Sequence, residues 1–258
     1  MSCLRNFSVF VSCMFLFIIQ PGHGSEIIRG KEVEPHSLPF MAHVRSERAM
    51  CGGTLIHPQW VLTAAHCTDM ILVILGAHSL RKVEVDSWQV REVEKRFPRP
   101  GYYSAFKGND LMLLKLKEPV ILTKAVKPLQ LNNIVRDPPP GSKCMVAGWG
   151  VTENNQISDV LLSVNVTVVS RHTCNSGHYY NGNPVITKGM ICAGANSLDE
   201  GDTCRGDSGG PLLCNGALVG VTSFGPKDCG NNFPGVYSFL SVKQLYWIKN
   251  TMRFSEML

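Results

Sequence analysis

The sequence is poor in charge. Asp, Glu, Lys and Arg make up 17% of its 258 residues, against about 25% in an average soluble domain. Hydrophobic residues reach 44%. A chain disordered throughout needs the opposite balance, so disorder is excluded as the dominant state. No G-X-Y triplet and no heptad recurs, which excludes collagen-like and coiled-coil architectures. No apolar run reaches the roughly 20 residues that span a bilayer as a helix. The net charge is only +5, and no nucleic-acid motif accompanies it, so nucleic acid is not an expected partner. Cysteine, by contrast, is plentiful: ten residues. At this length that points to an oxidising compartment or to a metal protein.

The N-terminus separates those two readings. Arg5 precedes an apolar run from Val9 to Ile19, and Pro21-Gly22-His23-Gly24 follows. Small residues stand one and three positions before a cut after Gly24, the pattern of a secretory signal peptide. The expected precursor therefore has a signal at 1–24 and passes through a compartment where disulfides form. Cys3 and Cys13 leave with the signal, so eight of the ten cysteines remain. Four disulfides with no spare thiol is the natural arrangement. Trimming residues 1–26 removes one charge of each sign, Arg5 and Glu26, and leaves the net charge at +5.

The remainder reads as short strands. Trp60-Val61-Leu62-Thr63, Ile71 to Leu75, Leu111 to Leu116 and Leu161 to Val169 are apolar or alternating, with turn residues between them. That spacing predicts an all-β sandwich or barrel. Helix is expected only at the end, where Val242, Leu245, Tyr246, Ile248 and Met252 recur every three or four residues. Pro138-Pro139-Pro140-Gly141 is the strongest breaker. Polyproline is extended and stiff, so a boundary between two β halves is placed just before it, with one half at 27–134 and the other at 135–258.

Three short motifs carry chemistry. Gly206-Asp207-Ser208-Gly209-Gly210 brackets a serine with glycines. Such a segment turns sharply, exposes the hydroxyl and converges main-chain N–H groups on one spot. By itself it reads equally as a plain loop. His66, in Thr63-Ala64-Ala65-His66-Cys67, is a candidate base; its alternatives are a structural histidine or a zinc ligand, the latter without a nearby C-x-x-C. Asp110, in Asn109-Asp110-Leu111, is a candidate orienting carboxylate or an acidic turn residue. Together they supply nucleophile, general base and base-orienting acid.

With these residues in place, the chain resembles the trypsin/chymotrypsin-like serine protease family. The likeness rests on Ile27-Ile28-Arg29-Gly30, Cys51-Gly52-Gly53-Thr54-Leu55, Ala64-Ala65-His66-Cys67, Asn109-Asp110-Leu111, Ala147-Gly148-Trp149-Gly150, Gly206 to Pro211 and Pro234-Gly235-Val236-Tyr237. The order His, Asp, Ser is also the family's. The resemblance implies two packed six-stranded antiparallel β-barrels with a C-terminal α-helix and a site between the barrels. It implies Ser208 as nucleophile, His66 as base, Asp110 as its orienter, and the N–H groups of Gly206 and Ser208 as an oxyanion hole. It implies disulfides Cys51–Cys67, Cys144–Cys214, Cys174–Cys192 and Cys204–Cys229. No metal or other cofactor is implied.

Specificity and activation follow from the same resemblance. Asp202 falls at the base of the primary pocket, which implies a preference for substrate Arg or Lys. Thr203 lies near the floor, Gly225 and Gly235 form the walls, and Ser223-Phe224-Gly225 pairs with the substrate backbone. Phe224 stands where the family usually has Trp. Activation in the family frees an N-terminal ammonium that pairs with the aspartate before the serine, here Ile27 and Asp207. Only Ser25-Glu26 separates Ile27 from the signal, and no Arg or Lys precedes it. A dipeptide ending in Glu resembles the granzyme and mast-cell protease group, whose members are trimmed by a dipeptidyl peptidase and stored in secretory granules. Retention of Cys204, Cys229 and Asp202 resembles the granzyme A and granzyme K branch, and the lack of an unpaired cysteine implies a monomer. Asn165-Val166-Thr167 is an N-glycosylation sequon. The basic-leaning stretch from Arg81 to Lys107 suits a sulfated proteoglycan or is an ordinary solvated surface. The alternative function is a non-catalytic homologue that binds heparin or microbes; such proteins usually lack the serine or histidine that this chain keeps.

Overall fold

A computed structural model describes residues 30–152, 156–195, 206–226 and 233–255. Strand β1 is Lys31–Glu32. Six strands then build the first half: β2 (Met41–Arg45), β3 (Met50–His57), β4 (Trp60–Thr63), β5 (Leu72–Leu75), β6 (Gln89–Pro98) and β7 (Met112–Leu116). They pair antiparallel in the order β2-β3-β4-β7-β6-β5, and the β2–β5 ladder closes the barrel. The second half comprises β8 (Lys143–Gly148), β9 (Leu162–Val169), β10 (Met190–Gly194), β11 (Pro211–Cys214), β12 (Ala217–Phe224) and β13 (Gly235–Phe239). Their order is β9-β10-β13-β12-β11-β8, and β8 returns to β9 through six residue pairs from Lys143↔Thr167 to Gly148↔Leu162. The architecture is thus two closed six-stranded antiparallel barrels, and no sheet edge is left open within either ring.

Strands such as β4 and β5 form on unbroken apolar runs, whereas β9 alternates and β6 is mostly polar and exposed. β4 and β10 are buried along their whole length. Closed barrels that pack against each other cover both faces of such strands. The first barrel is filled by Leu55, Trp60, Leu62, Leu113 and Leu116, all at 0% exposure. Buried side chains of both barrels merge into one continuous core, and a smaller cluster gathers Cys174, Ile186, Met190, Cys192 and Val236.

Both ends of the chain cross between halves. β1 adds to β9 of the second barrel, and Val33 N–H donates to Leu161 O at 3.1 Å. The terminal helix α1 (Val242–Ser255) follows the second barrel but reaches the first. Gln244 Oε1 accepts from Arg99 Nε at 2.6 Å, and its Nε2 donates to Asn109 Oδ1 at 3.1 Å. This contact narrows the apolar stripe predicted for the helix. Leu245 and Ile248 are buried, while Val242 and Tyr246 stay exposed because Gln244 takes the flank of the stripe.

Three disulfides join Cys51 to Cys67, Cys144 to Cys214 and Cys174 to Cys192. Cys204 and Cys229 lie outside the described residues. No described helix is long and apolar enough to cross a membrane.

Candidate active site

Asp110 stands two residues before strand β7 and is completely buried. A buried carboxylate costs several kcal/mol unless donors replace its water. Here the donors come from both halves. His66 gives its backbone N–H to Oδ1 at 2.9 Å and its Nδ1 to Oδ2 at 2.7 Å. Ser223 Oγ donates to Oδ2 at 2.5 Å, and Ser238 Oγ donates to the Asp110 carbonyl at 3.0 Å. The preceding residue explains how the carboxylate is aimed. Asn109 has φ of 55°, a left-handed conformation that Asn tolerates better than most residues. Its Nδ2 is tied to Gly101 O at 3.2 Å. Burial and the nearby Asp110 charge also raise the Tyr102 phenol.

The chemical consequence lies on His66. An ionised carboxylate only accepts, so Nδ1 must donate to it and Nε2 of the neutral ring carries the lone pair. The His66 side chain is 28% exposed against 0% for Asp110. The imidazole is therefore anchored on one side and open to solvent on the other.

Ser208 is presented by the loop before β11. Its carbonyl accepts Gly52 N–H of β3 at 2.8 Å, and the Cys67 sulfur lies 3.8 Å from the same oxygen. Gly209 N–H donates to Thr222 O at 2.8 Å. The glycines are a steric requirement at this junction. Gly209 has φ of 82°, and a Cβ there would stand 2.1 Å from Thr63 Oγ1 and 2.5 Å from Gly52 O. A Cβ on Gly52 would come within 3.0 Å of Gly210 Cα. Barrel and loop thus meet backbone to backbone, which brings Ser208 beside the Cys51–Cys67 disulfide and so beside His66.

Asp207 is 1% exposed. Its Oδ1 accepts Gly150 N–H at 2.9 Å. A Cβ on Gly148 would lie 2.2 Å from Oδ1, and one on Gly150 would lie 2.4 Å from Oδ2. The glycines either side of Trp149 therefore make room for this carboxylate. Trp149 is fixed in turn by its Nε1 bond to His78 O at 2.9 Å and by an edge contact with the His43 ring at 5.7 Å. Burial, then the Arg45 charge, lowers the His43 pKa from 6.5 to about 4.

Of the remaining predicted positions, Phe224 packs edge-on against Phe106 at 5.0 Å and Tyr180 at 5.9 Å. Gly225 faces Gly235, and a Cβ on the former would reach 3.9 Å from the latter's Cα. Asn165 is exposed in β9, opposite Met145. Asp202, Thr203, Cys204, Cys229 and Ile27 lie outside the described residues. The zinc alternative for His66 loses its partners, because the sulfurs of Cys51 and Cys67 are spent on each other. Ser238 and Gln244, which brace Asp110 and the Asn109 turn, carry no local sequence signal. The bond from Ser223 to Asp110 is likewise visible only in three dimensions.

Comparison with known proteins agrees with this layout. The family model described as Trypsin matches residues 27–248. Granzyme A of Bos taurus is 46% identical over 232 residues, covering 88% of each chain. Kallikrein-4 of Homo sapiens is 40% identical over 237 residues, 91% of this chain and 90% of that one. A solved structure of neuropsin, a serine protease expressed in the limbic system of mouse brain, shares 39% identity with a TM-score of 0.76, covering 86% of this chain and 98% of its own. Another, described as "Structure of GrC", gives 36% and 0.77, covering 87% and 98%. The chain belongs to the trypsin family of serine proteases.

Proposed function

We propose that this chain is a secreted or granule-stored serine endopeptidase that cleaves after Arg or Lys. The observation that carries the reading is the double attachment of His66 to Asp110, beside a serine loop seated on Gly52. Ser208 Oγ attacks the scissile carbonyl carbon while its proton passes to His66 Nε2. The negative oxygen of the tetrahedral intermediate is held by the N–H groups of Gly206 and Ser208. Collapse breaks the C–N bond, and His66 returns the proton to the leaving amine. Water then repeats the sequence on the acyl-enzyme and frees Ser208. Asp110 keeps the imidazole in the useful tautomer and offsets its transient positive charge.

Asp202 at the pocket base would pair with a substrate cation, between the small walls at Gly225 and Gly235. Removal of Ser25-Glu26 by a dipeptidyl peptidase would free the Ile27 ammonium for Asp207. The 46% identity to a protein named granzyme A supports the granule side of this reading. With Cys204 paired to Cys229, as the family resemblance implies, no cysteine would remain for a disulfide-linked dimer, in keeping with a monomer. Glycosylation at Asn165 and retention on a sulfated proteoglycan complete the picture.

The test is an ester assay on the chain starting at Ile27, with Arg, Lys and Phe substrates. Ser208→Ala is expected to lower kcat about 10⁶-fold, as loss of such a nucleophile does elsewhere. Equal rates in the mutant would refute the mechanism, and a Phe preference would refute the role of Asp202. A chain that retains Ser25-Glu26 should be nearly inactive.

A further inference from the structure

Asp110 is held from a direction that the reaction does not use. Leu111 N–H donates to Asn109 O at 2.8 Å, so Asp110 stands at the apex of a three-residue turn. Arg99 reaches both flanks of this turn. Its backbone N–H donates to Leu111 O at 2.8 Å, and its Nε donates to Gln244 Oε1 of helix α1 at 2.6 Å. Gln244 Nε2 donates in turn to Asn109 Oδ1 at 3.1 Å, and Asn109 Nδ2 donates to Gly101 O at 3.2 Å.

This chain of bonds has one polarity. A guanidinium donates and never accepts, so the Gln244 oxygen must face Arg99 and its NH2 group must face Asn109. The Asn109 oxygen must then face Gln244, which leaves its own NH2 group for the Gly101 carbonyl. One cation thus sets the direction of two amides. The second amide belongs to the left-handed residue beside Asp110, with φ of 55°. A non-glycine residue keeps that conformation only where its surroundings hold it there.

The same bonds are not needed to dock the helix. Leu245 and Ile248 are buried, the Arg99 guanidinium lies over the Trp247 ring at 5.5 Å, and Lys249 Nζ donates to Asn133 Oδ1 at 2.7 Å. Gln244 is the polar member of the buried residues of α1. A buried amide is costly unless its ends are bonded, so for packing alone an apolar side chain would serve better.

We infer that Gln244 is a positioning residue for Asp110: relayed through Asn109, its amide aims the carboxylate at His66, and the C-terminal helix thereby takes part in the chemistry of the first barrel. The inference rests on the endopeptidase reading above. Gln244 touches neither substrate nor reacting atoms, so its loss should lower kcat and leave KM unchanged.

The test uses the chain starting at Ile27 and an Arg ester, with thermal midpoints measured beside the kinetics. Gln244→Met removes both bonds. Gln244→Glu keeps an acceptor for Arg99, adds an opposite charge to it, and removes only the donor that Asn109 needs. Loss of that bond predicts about a fivefold fall in kcat for Gln244→Met. Acceptor facing acceptor predicts a larger fall, about tenfold, for Gln244→Glu. Stability should run the other way, with Gln244→Glu melting above Gln244→Met. A merely structural residue would place activity and stability in the same order, so a shared order overturns the inference. A kcat for Gln244→Glu within about twofold of the parent does the same. Arg99 supplies a second test should Gln244→Glu misfold. Arg99→Lys keeps a donor-only side chain and should exceed Arg99→Met in kcat by about threefold; equal rates would overturn the inference. A parent that leaves the ester uncleaved would overturn the endopeptidase reading instead. In that case nitrogen NMR of the histidine-labelled chain decides the matter, with His66 assigned by His66→Gln. A His66 Nδ1 signal that moves in Gln244→Glu supports the inference, and an unmoved one overturns it.

Discussion

Asp110 and Asp207 are both almost inaccessible to solvent, at 0% and 1% exposure, and both lie in short motifs. Their surroundings differ in kind. Asp110 is surrounded by side chains that donate to it: His66 and Ser223 on the carboxylate, with Ser238 on its carbonyl. Asp207 accepts the Gly150 N–H in the hollow left by Gly148 and Gly150. The first carboxylate is held by side chains that reach it, and the second sits where two missing side chains make room. Substitution of partners should therefore disturb Asp110 gradually, whereas any added atom should disturb Asp207 at once.

The largest expected effect is Asp110→Asn. The amide can present an N–H to His66 Nδ1 and reverse the tautomer, so kcat should fall about 10⁴-fold. Thermal stability should change far less, since the packing is conserved. A fall in kcat below tenfold would mean that Asp110 does not orient the base.

Gly150→Ala tests the other side. The new Cβ would lie 2.4 and 2.5 Å from the two Asp207 oxygens. A clash at so tight a site costs roughly 1–3 kcal/mol, read as a lower denaturation midpoint. Activity should fall with it, because Asp207 precedes Ser208 directly. An Ala variant as stable and active as the parent would show that the cradle yields easily.

Ser223→Ala removes one donor from a carboxylate that retains two. The expected loss is about 1–2 kcal/mol, measurable as roughly a tenfold drop in kcat or the matching shift in stability. An effect as large as that of Asp110→Asn would contradict the gradual response expected there.

An effect that appears only on acidification concerns His43, whose ring backs Trp149 on the Asp207 side. Its pKa is about 4 in the folded protein and 6.5 otherwise. Between those values the unfolded chain binds a proton that the folded chain does not. Stability is thus full above about pH 6.5 and declines as the pH falls toward 4, by about 3 kcal/mol in total. His43→Phe keeps the ring contact and should flatten that part of the pH–stability curve. An unchanged slope in the variant would assign the acid loss to other groups.

Much of this site was legible along the chain. Ser208 between glycines, His66 before Cys67 and Asp110 after Asn109 are each marked within five residues, because a glycine turn, a paired cysteine or a left-handed Asn leaves a local signature. Strands β4 and β7 are equally local, since each carries at least three successive apolar residues. Ser238 was not legible: a serine within a buried strand has no mark that distinguishes a brace for Asp110 from a packing residue.

The sequence by itself determined the chemical inventory: a serine in a glycine turn, an imidazole, a carboxylate, an even set of cysteines and the strand runs that hold them. These are properties of neighbouring residues and need only local sterics. Tertiary structure alone decided their proximity. His66 meets Asp110 across 44 residues of chain, Ser223 meets it across 113 and Ser238 across 128. Those distances close because two sealed barrels share one apolar core and press together where Gly52 and Gly210 leave no side chain between them.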